Sequence, residues 1–234
     1  VQDTTPPTFT APVDITIYRD GSCAFDSPTA TTGDVTDEAD NCNVGEATYS
    51  DAWDDTDPCN VIITRTWSLV DDCGNAAADQ DQIITIRDTT PPTFTAPVDI
   101  TIYRNGSCAF DSTTTATGDV TDEDDNCNVG EATYSDAWDD TDPCNVIITR
   151  TWSLVDDCGN AAADQVQTIT VQDNIGPTAI CQDITVQLDA TGNVTITALD
   201  VDNGSSDNCA IDTMWLDVYD FTCADIGPNA VNLT

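Results

Sequence analysis

The feature that most constrains this chain is an internal repeat of 85 residues. Residues 3–87 align without a gap onto residues 88–172, and 76 of the 85 positions are identical. A third stretch begins in phase at Asp173, where DTTPPTF becomes DNIGPTA, and then diverges. Repetition this close favours an array in which each repeat is one folded unit. We predict a first repeat at 3–87, a second at 88–172 and a partial, divergent third at 173–234.

The start of the chain also fits this period. Val1-Gln2-Asp3 matches Val171-Gln172-Asp173, so residues 1–2 are expected to end a preceding repeat. The sequence therefore predicts a segment of a longer array, with the third repeat incomplete.

Hydrophobic periodicity indicates strands rather than helices. Apolar residues alternate with polar ones in the first strand and in a longer strand at 61–70. In the last strand the two copies stay apolar at Ile84/Ile169 and Ile86/Val171 but exchange residue type at Asp81/Val166 and Ile83/Thr168. The first set of positions, and with it Asp88 and Asp173, is therefore expected to face inward. The predicted inward residues are Val13, Ile15, Ile17, Val61, Ile63, Trp67, Leu69, Ile84 and Ile86. Arg65 shares that face, which suggests a snorkelling or ion-paired side chain beside Trp67.

Short strands, turn residues and the lack of helical periodicity predict an all-β fold. We expect tandem immunoglobulin-like β-sandwich repeats with no helix longer than two turns. The linker around Pro91-Pro92 is short and stiff, which favours an extended rod.

Eleven cysteines, four in each full repeat at one spacing, indicate disulfides and an oxidising, extracellular compartment. Zinc is disfavoured because the chain has neither CxxC pairs nor histidine. Four cysteines allow three connectivities, and their positions at opposite ends of a sandwich favour pairing within each repeat. The expected pairs are Cys23–Cys59, Cys42–Cys73, Cys108–Cys144, Cys127–Cys158 and Cys209–Cys223, with Cys181 left for a partner beyond residue 234.

The charge excludes several classes of function. The chain has 43 Asp and Glu against five Lys and Arg, which would repel nucleic acid and anionic membranes. Without histidine there is no ordinary Ser or Cys triad, and the carboxylate clusters recur in each repeat as structural sites do. We expect no enzyme activity. No apolar run is long enough to insert into a membrane.

The acidic loops predict calcium, which takes six to eight oxygen ligands. In a sandwich of this kind three acidic segments meet at the end where the chain enters a repeat, the leading end. Solvated turn residues are the alternative, because Asp is common in turns for local reasons. Mutual repulsion of about 4 kcal/mol per close pair at an effective dielectric of 20 favours a counterion. The candidate ligands are Asp3, Asp37, Asp40, Asp71, Asp72, Asp88, Asp122, Asp125, Asp156, Asp157, Asp173, Asp202 and Asp207.

A second acidic cluster surrounds Trp53 and is expected at the opposite end of the repeat. For this cluster metal binding and simple turn formation remain equally open. Its members are Asp51, Asp54, Asp55 and Asp57.

The first two repeats resemble hyalin-type (HYR-like) repeats of long Bacteroidota surface proteins. The resemblance lies in DTTPPTFTAPVDITIY, TDEADNC, ITRTWSLVDDCGN and QDQIITIRD. The third repeat, with PTAICQDITVQLDATGNVTITALDVDNGSSDNC and FTCADIGPNAVNLT, is similar to gliding-motility adhesin repeats exported by type IX secretion. The resemblance implies cell adhesion, surface filaments and that secretion route.

Two functions follow as hypotheses. The first is a structural segment of a cell-surface adhesin or filament, rigidified by disulfides and calcium, whose main partners are further copies of the repeat. The second is an array that binds glycan, ice or a protein surface through Trp53 and Trp138. A structural stalk should bury or cover these tryptophans, whereas a binding array should expose them.

Overall fold

Two four-stranded sheets, built from the same segment of each full repeat, dominate the computed structural model, which describes residues 1–142 and 144–234. The first sheet has the order β1-β4-β3-β2 and the second β5-β8-β7-β6. The first-sheet strands are β1 (Ile15–Tyr18), β2 (Thr48–Asp54), β3 (Asn60–Ser68) and β4 (Gln80–Arg87). The second-sheet strands are β5 (Ile100–Tyr103), β6 (Thr133–Asp139), β7 (Asn145–Ser153) and β8 (Gln165–Gln172).

Strand pairing follows one pattern in both sheets. β1 lies parallel to β4, and β5 lies parallel to β8. β3 is antiparallel to both of its neighbours, β2 and β4. The predicted all-β class is confirmed, with mixed sheets.

β3 has the alternating burial that a period of two requires. Its register places Ile63 opposite Ile84 and Val61 opposite Ile86, and these four form one core cluster with Ile17. The predicted inward face of β3 and β4 is therefore confirmed.

Val13 departs from the prediction. It is 85% exposed, because β1 begins only at Ile15 and Val13 lies before the strand. The Val13 carbonyl instead accepts a hydrogen bond from buried Gln82.

Loops and single bridges cover the other side of the core. Thr8 bridges Ala39, and Phe9 and Val35 pack onto Trp67 and Leu69 in a second cluster. None of the described helices exceeds four residues, as predicted. The helices are α1 (Thr29–Thr32), α2 (Thr114–Thr117) and α3 (Ala198–Val201), with a 3₁₀ turn at Cys223–Asp225.

The third repeat is built differently, in keeping with its divergent sequence. Its described strands, β9 (Asn193–Thr195) and β10 (Asp220–Thr222), form a two-stranded antiparallel sheet. Its core is small and consists of Ile196, Val201 and Leu216 with partly buried neighbours.

Packing divides the chain into two compact units. Unit 1 is Val1–Ala96, Val120–Tyr134 and Trp152–Gln165, and unit 2 is Pro97–Asp119, Ser135–Thr151 and Val166–Thr234. Unit 1 thus holds the first repeat together with loops of the second. Domain boundaries at Asp88 and Asp173 stay a prediction. No helix among the described residues has the length and apolar character needed to cross a membrane.

Each full repeat buries one arginine in its core. Arg65 is 1% exposed, and its Nε and Nη2 donate to the two carboxylate oxygens of Asp51 at 2.8 and 2.9 Å. Nη1 donates to Thr32 Oγ1, and the guanidinium lies 4.0 Å from the ring centroid of Tyr49. Arg150 makes the equivalent bonds to Asp136 and Thr117. The ion-paired interpretation is confirmed, and the side chain does not snorkel.

Candidate functional site

The best-defined acidic site lies in unit 1, at the start of the second repeat. Because β4 ends at Arg87 with its even positions facing inward, Asp88 enters the interior and is only 6% exposed. Its Oδ1 accepts hydrogen bonds from the Thr90 amide at 3.1 Å and from Asn126 Nδ2 at 3.3 Å. Its Oδ2 is buried and has no hydrogen-bond partner. An anionic oxygen buried in this way is costly unless a cation satisfies it.

The loop Asp125-Asn126-Cys127 completes this site. Asp125 Oδ2 accepts from the Cys127 amide at 2.9 Å, which leaves Asp125 Oδ1 buried without a partner. Asn126 Nδ2 donates to Asp88 and to the Asp20 carbonyl. The amide oxygen of Asn126 is buried and has no hydrogen-bond partner. A carboxylate oxygen of Asp88 and one of Asp125 lie within 4.8 Å of each other and of the Cys127 sulfur, which is bridged to Cys23 and does not act as a ligand. Carboxylate and amide oxygens are the donor types that a hard cation prefers.

The same arrangement recurs at the start of the other repeats. In the first repeat Asp3 Oδ2 and Asp40 Oδ1 are buried and unpartnered, and their ligand atoms cluster with the Cys42 sulfur within 4.8 Å. In the third, Asn208 Nδ2 donates to Asp173 Oδ1, and Asp207 Oδ1 and Asn208 Oδ1 are left unpartnered. The third repeat is divergent elsewhere, so this recurrence is not a by-product of near-identical sequence.

The first copy shows the electrostatic character of these sites. Hydrogen bonds, first from the Thr5 amide and then from Cys42, lower the pKa of Asp3 and keep it charged. The bond to Asp3, with burial and the charges of Asp3 and Asp40, raises the pKa of the Cys42 thiol to about 11. The site is therefore strongly anionic at neutral pH.

Several predicted ligands instead shape the loops. Asp37 accepts from the Thr10 amide, and Asp122 does the same from Thr95, both at 2.9 Å. Asp202 caps a turn through the Ser205 amide. Asp202 therefore shows the local bonding of the turn alternative, whereas Asp37 and Asp122 tie their loop to the segment that opens the repeat.

The carboxylates around the fourth cysteine of each full repeat also accept hydrogen bonds from the protein, either within their own loop or from the loop of the second cysteine. Asp71 accepts from the amides of Cys73 and Asn75 and from Asn75 Nδ2, and the bonds to Asn75 lower its pKa. Asp72 accepts from Asn43 Nδ2. In the second repeat Asp156 and Asp157 bond in the same way with Asn160 and Asn128.

The asparagines of these sites were not among the predicted ligands. Asn41, Asn126 and Asn208 hold the leading aspartate of their repeats through Nδ2. The signal available was the tripeptide Asp-Asn-Cys, present as 40–42, 125–127 and 207–209. Of the thirteen predicted ligands, the structure brings together two pairs, Asp3 with Asp40 and Asp88 with Asp125. In the third repeat Asp173 is held by Asn208, the residue that follows Asp207.

Disulfides cross the repeat boundaries, so every predicted pairing is wrong. Unit 1 contains Cys23–Cys127 and Cys59–Cys158, and unit 2 contains Cys108–Cys209. The predicted pairs Cys23–Cys59, Cys42–Cys73, Cys108–Cys144, Cys127–Cys158 and Cys209–Cys223 do not form. Pairing within a repeat fails because Cys23 and Cys59 of the first repeat, and Cys108 of the second, each take a sulfur partner from the repeat that follows. The unbridged cysteines are Cys42, Cys73, Cys144, Cys181 and Cys223, all exposed.

The second acidic cluster forms ordinary structure. Asp51 pairs with Arg65, Asp54 accepts from Thr56, and Asp57 accepts from the Cys59 amide. The structure thus favours turn formation over metal in this loop.

The tryptophans beside that cluster are open to solvent. Trp53 is 53% exposed and lies 5.9 Å from the ring of Phe25, while Trp138 is 51% exposed and lies 5.9 Å from Phe110. Trp53 lies opposite Ile63 on the edge strand β2, and the Phe25 ring packs against it at an interplanar angle of 42°. The burial expected of a purely structural stalk is not observed.

Comparison with known proteins gives little. No family model matches the chain, and no curated protein matches it. Among solved structures, the sialic acid-binding region of the Streptococcus sanguinis SK1 adhesin bound to 3'sLn aligns over 82% of this chain and 84% of that chain, at 11% identity and a TM-score of 0.24. A likeness at this TM-score carries no functional argument.

Proposed function

We propose that this chain is a structural segment of an extracellular cell-surface adhesin or filament, in which consecutive repeats are fastened end to end by disulfides and by calcium. The observation that carries the proposal is a bridge of one type made twice across a repeat boundary. Cys23 reaches Cys127 over 104 residues, and Cys108 reaches Cys209 over 101. A disulfide that recurs at successive repeat boundaries is the kind of link expected in an array of repeats.

Bridges at the boundaries suit a chain that carries tension. A force applied along the chain reaches each boundary, where the backbone alone would otherwise transmit it. With Cys23–Cys127 and Cys59–Cys158 in place, the load in unit 1 is shared by covalent bonds between folded parts. Such bonds persist in oxidising surroundings, which supports an extracellular location.

Calcium fits the leading site of each repeat. Asp88, Asp125 and Asn126 supply anionic and neutral oxygens that lack other partners. Calcium accepts six to eight oxygens and tolerates water among them, so a three-residue site is sufficient to bind weakly. Affinities of extracellular modules, about 10⁻⁴ to 10⁻³ M, match such a site.

Calcium is expected to stabilise unit 1 against urea. At a hundredfold excess over the dissociation constant the gain is about 2.7 kcal/mol per site, and EDTA should remove it. Asp88→Asn with Asp125→Asn should remove the share of this gain that the Asp88 site contributes and leave the share of the Asp3 site, because the amides keep the oxygen that accepts from Thr90 and Cys127 while removing both charges. Urea midpoints with calcium and with EDTA measure it.

The matched control removes the same kind of charge elsewhere. Asp55 is exposed and lies outside the leading site, so Asp55→Asn should keep the full response to calcium. Magnesium at equal concentration separates site binding from general screening, since it demands a stricter octahedral geometry. Equal midpoints in calcium and EDTA for the unaltered chain would end the calcium proposal while leaving the disulfide array intact.

Glycan binding is the second candidate, favoured by the exposed Trp53–Phe25 and Trp138–Phe110 pairs. The net charge of -38 favours neutral over sialylated glycans. Trp53→Ala with Trp138→Ala should weaken binding to immobilised neutral glycans about 30-fold, the scale of a binding hot spot.

The control for this prediction is Tyr18→Ala with Tyr103→Ala, which removes equally exposed aromatic rings that lie away from the tryptophans. These substitutions should leave binding unchanged. No binding by the unaltered chain, or equal loss in both variants, would count against a glycan site at Trp53 and Trp138.

A further inference from the structure

Two unbridged cysteines of the first repeat stand where the second repeat makes its disulfides. Cys42 and Cys73 correspond, 85 residues earlier, to Cys127 and Cys158. Cys127 and Cys158 receive Cys23 and Cys59 within unit 1. Cys42 and Cys73 are exposed and unbridged.

The backbone that presents these cysteines is the same with and without a bridge. The Cys42 amide donates to Asp40 Oδ2 at 2.9 Å, as Cys127 does to Asp125. The same holds around the second cysteine, where Asn43 Nδ2 donates to Asp72 at 2.7 Å. Its counterpart Asn128 donates to Asp157 at 2.8 Å. The leading end of the first repeat is therefore preorganised for the joint that the second repeat makes.

The donating side of the joint defines the partner. Cys23 has a φ of 59°, a left-handed conformation, in a tight turn that Asp20 closes by accepting from the amides of Ser22 and Ala24. Arg19 binds the Cys23 carbonyl at 2.8 Å and the Pro58 carbonyl at 3.0 Å, which ties together the loops of both donor cysteines. A partner must offer two cysteines in this arrangement.

The third repeat lacks this donor arrangement. Its equivalent turn is closed by Asp189, which accepts from the amides of Thr191 and Asn193. The left-handed position in it is Gly192, with a φ of 81°. In a repeat of the third type the turn itself carries no cysteine, and the sulfur beside it belongs to Cys223, 3.7 Å from the Gly192 carbonyl oxygen.

We propose that Cys42 and Cys73 are the acceptor half of a two-disulfide joint, that is, the two cysteines that receive bridges from a preceding repeat. This inference rests on the boundary disulfides of the proposed function. The occupant is a repeat of the first or second type, joined to Asp3 through its last strand as β4 joins Asp88. Asn41 fits this role, since Asn126 and Asn208 each donate to a carbonyl of the donor turn, at Asp20 and Asn105. Asn41 donates to Asp3 and is in place for the same contact.

Continuity with Asp3 distinguishes this occupant from a second copy of the chain. In a second copy, Cys23 and Cys59 are already bridged to that copy's own Cys127 and Cys158. In the observed joint the donor strand leads directly into the buried aspartate, and both parts of the joint meet beside it. A repeat that arrives along the chain meets both conditions.

Each bridge forms from two thiols. Two electrons and two protons pass to a small-molecule disulfide such as oxidised glutathione, which is reduced to two thiols. Closing both bridges therefore consumes two equivalents of this oxidant.

The test places a second copy of residues 88–170 directly before Val1 of the full chain. Val1-Gln2-Asp3 then continue that copy as Val171-Gln172-Asp173 continue the second repeat. After oxidation with glutathione disulfide, non-reducing digestion and mass spectrometry should find Cys108 of the added copy on Cys42 and its Cys144 on Cys73. Alkylation of Cys42 and Cys73 should fall at least tenfold relative to the chain without the added copy.

The control is the same fusion with Cys42→Ser and Cys73→Ser, in which Cys108 and Cys144 of the added copy should stay alkylated. A Cys42–Cys73 bridge, or free Cys42 and Cys73 while Cys23–Cys127 and Cys59–Cys158 form, would overturn the inference. Absence of those two bridges themselves would instead sink the proposed function. Covalent dimers of the unfused chain through Cys42 would overturn the assigned occupant. A fusion with residues 3–85 gives a second version should the first fail to fold.

Discussion

Replacing Arg65 with methionine is expected to lower the free energy of unfolding of the first repeat by about 3–5 kcal/mol. The guanidinium binds both oxygens of Asp51, Thr32 Oγ1 and the Ser27 carbonyl, and it stacks on Tyr49. Methionine fills part of the volume but leaves the Asp51 carboxylate without a counterion. The cost is mainly that of a partly buried, unpaired charge rather than of lost packing.

Companion variants separate charge from shape. Arg65→Lys keeps the charge but loses the planar guanidinium that binds both oxygens of Asp51, so it should also destabilise the first repeat. Arg65→Met with Asp51→Leu removes both charges and should recover most of the loss, because an apolar pair of similar volume is often as stable as a buried ion pair. Arg87, whose Nε binds Asn60 at the surface, is the matched control, and Arg87→Met should change stability by less than about 0.5 kcal/mol.

Hydrogen exchange measured by mass spectrometry locates this effect. The amides of β3 should exchange faster in Arg65→Met, while those of β7, which holds the unaltered Arg150, give an internal reference. Urea unfolding of the same proteins supplies the free energy. A loss below about 1 kcal/mol would show that Arg65 fills space and that its ion pair with Asp51 contributes little.

The sheet core was predictable because side-chain alternation is a local property. Val61, Ile63, Trp67 and Leu69 face inward since a strand has a period of two, and a run this long leaves one choice of face. The prediction for Val13 was wrong because alternation alone does not locate the end of a strand. Three alternating residues do not show where a strand begins, and the backbone before Ile15 serves Gln82 instead.

The disulfides were not predictable from spacing. An identical set of four cysteines results whether Cys23 pairs with Cys59 or with a residue about 100 positions later. The choice depends on whether the ends of neighbouring repeats touch, which is a property of packing between repeats. Periodicity places residues on faces but carries no information about that contact.

The sequence predicted where the acidic site lies, at the start of each repeat, but not which residues form it. Asp88 follows from strand parity, whereas Asp37 and Asp71, which lie in equally acidic segments, accept from the amides of Thr10 and Asn75. These carboxylates differ in which of their oxygens accept hydrogen bonds from the protein and which are left without a partner. Asn126 was missed because its role depends on donating to Asp88 while its own oxygen stays free.

Removing the joint is expected to give the other large effect. Cys23→Ser with Cys59→Ser deletes two bridges that close loops of 104 and 99 residues. Constraining a loop of about 100 residues lowers the entropy of the unfolded chain enough to add about 4.7 kcal/mol. The two loops interleave, so the second bridge adds less than the first, and the total loss in unit 1 should be about 5 kcal/mol or more.

The matched control uses the same substitution at unbridged positions. Cys42→Ser with Cys73→Ser alters two exposed cysteines that make no disulfide in this chain, and the loss should stay below about 0.5 kcal/mol. Urea unfolding under non-reducing conditions measures both variants. Because the bridges act through the unfolded state, the Cys23/Cys59 variant should still show native exchange protection in β3 without urea. Equal stability of the two variants would mean that the bridges do not hold the first and second repeats together, and the boundary joint would then rest on its acidic site alone.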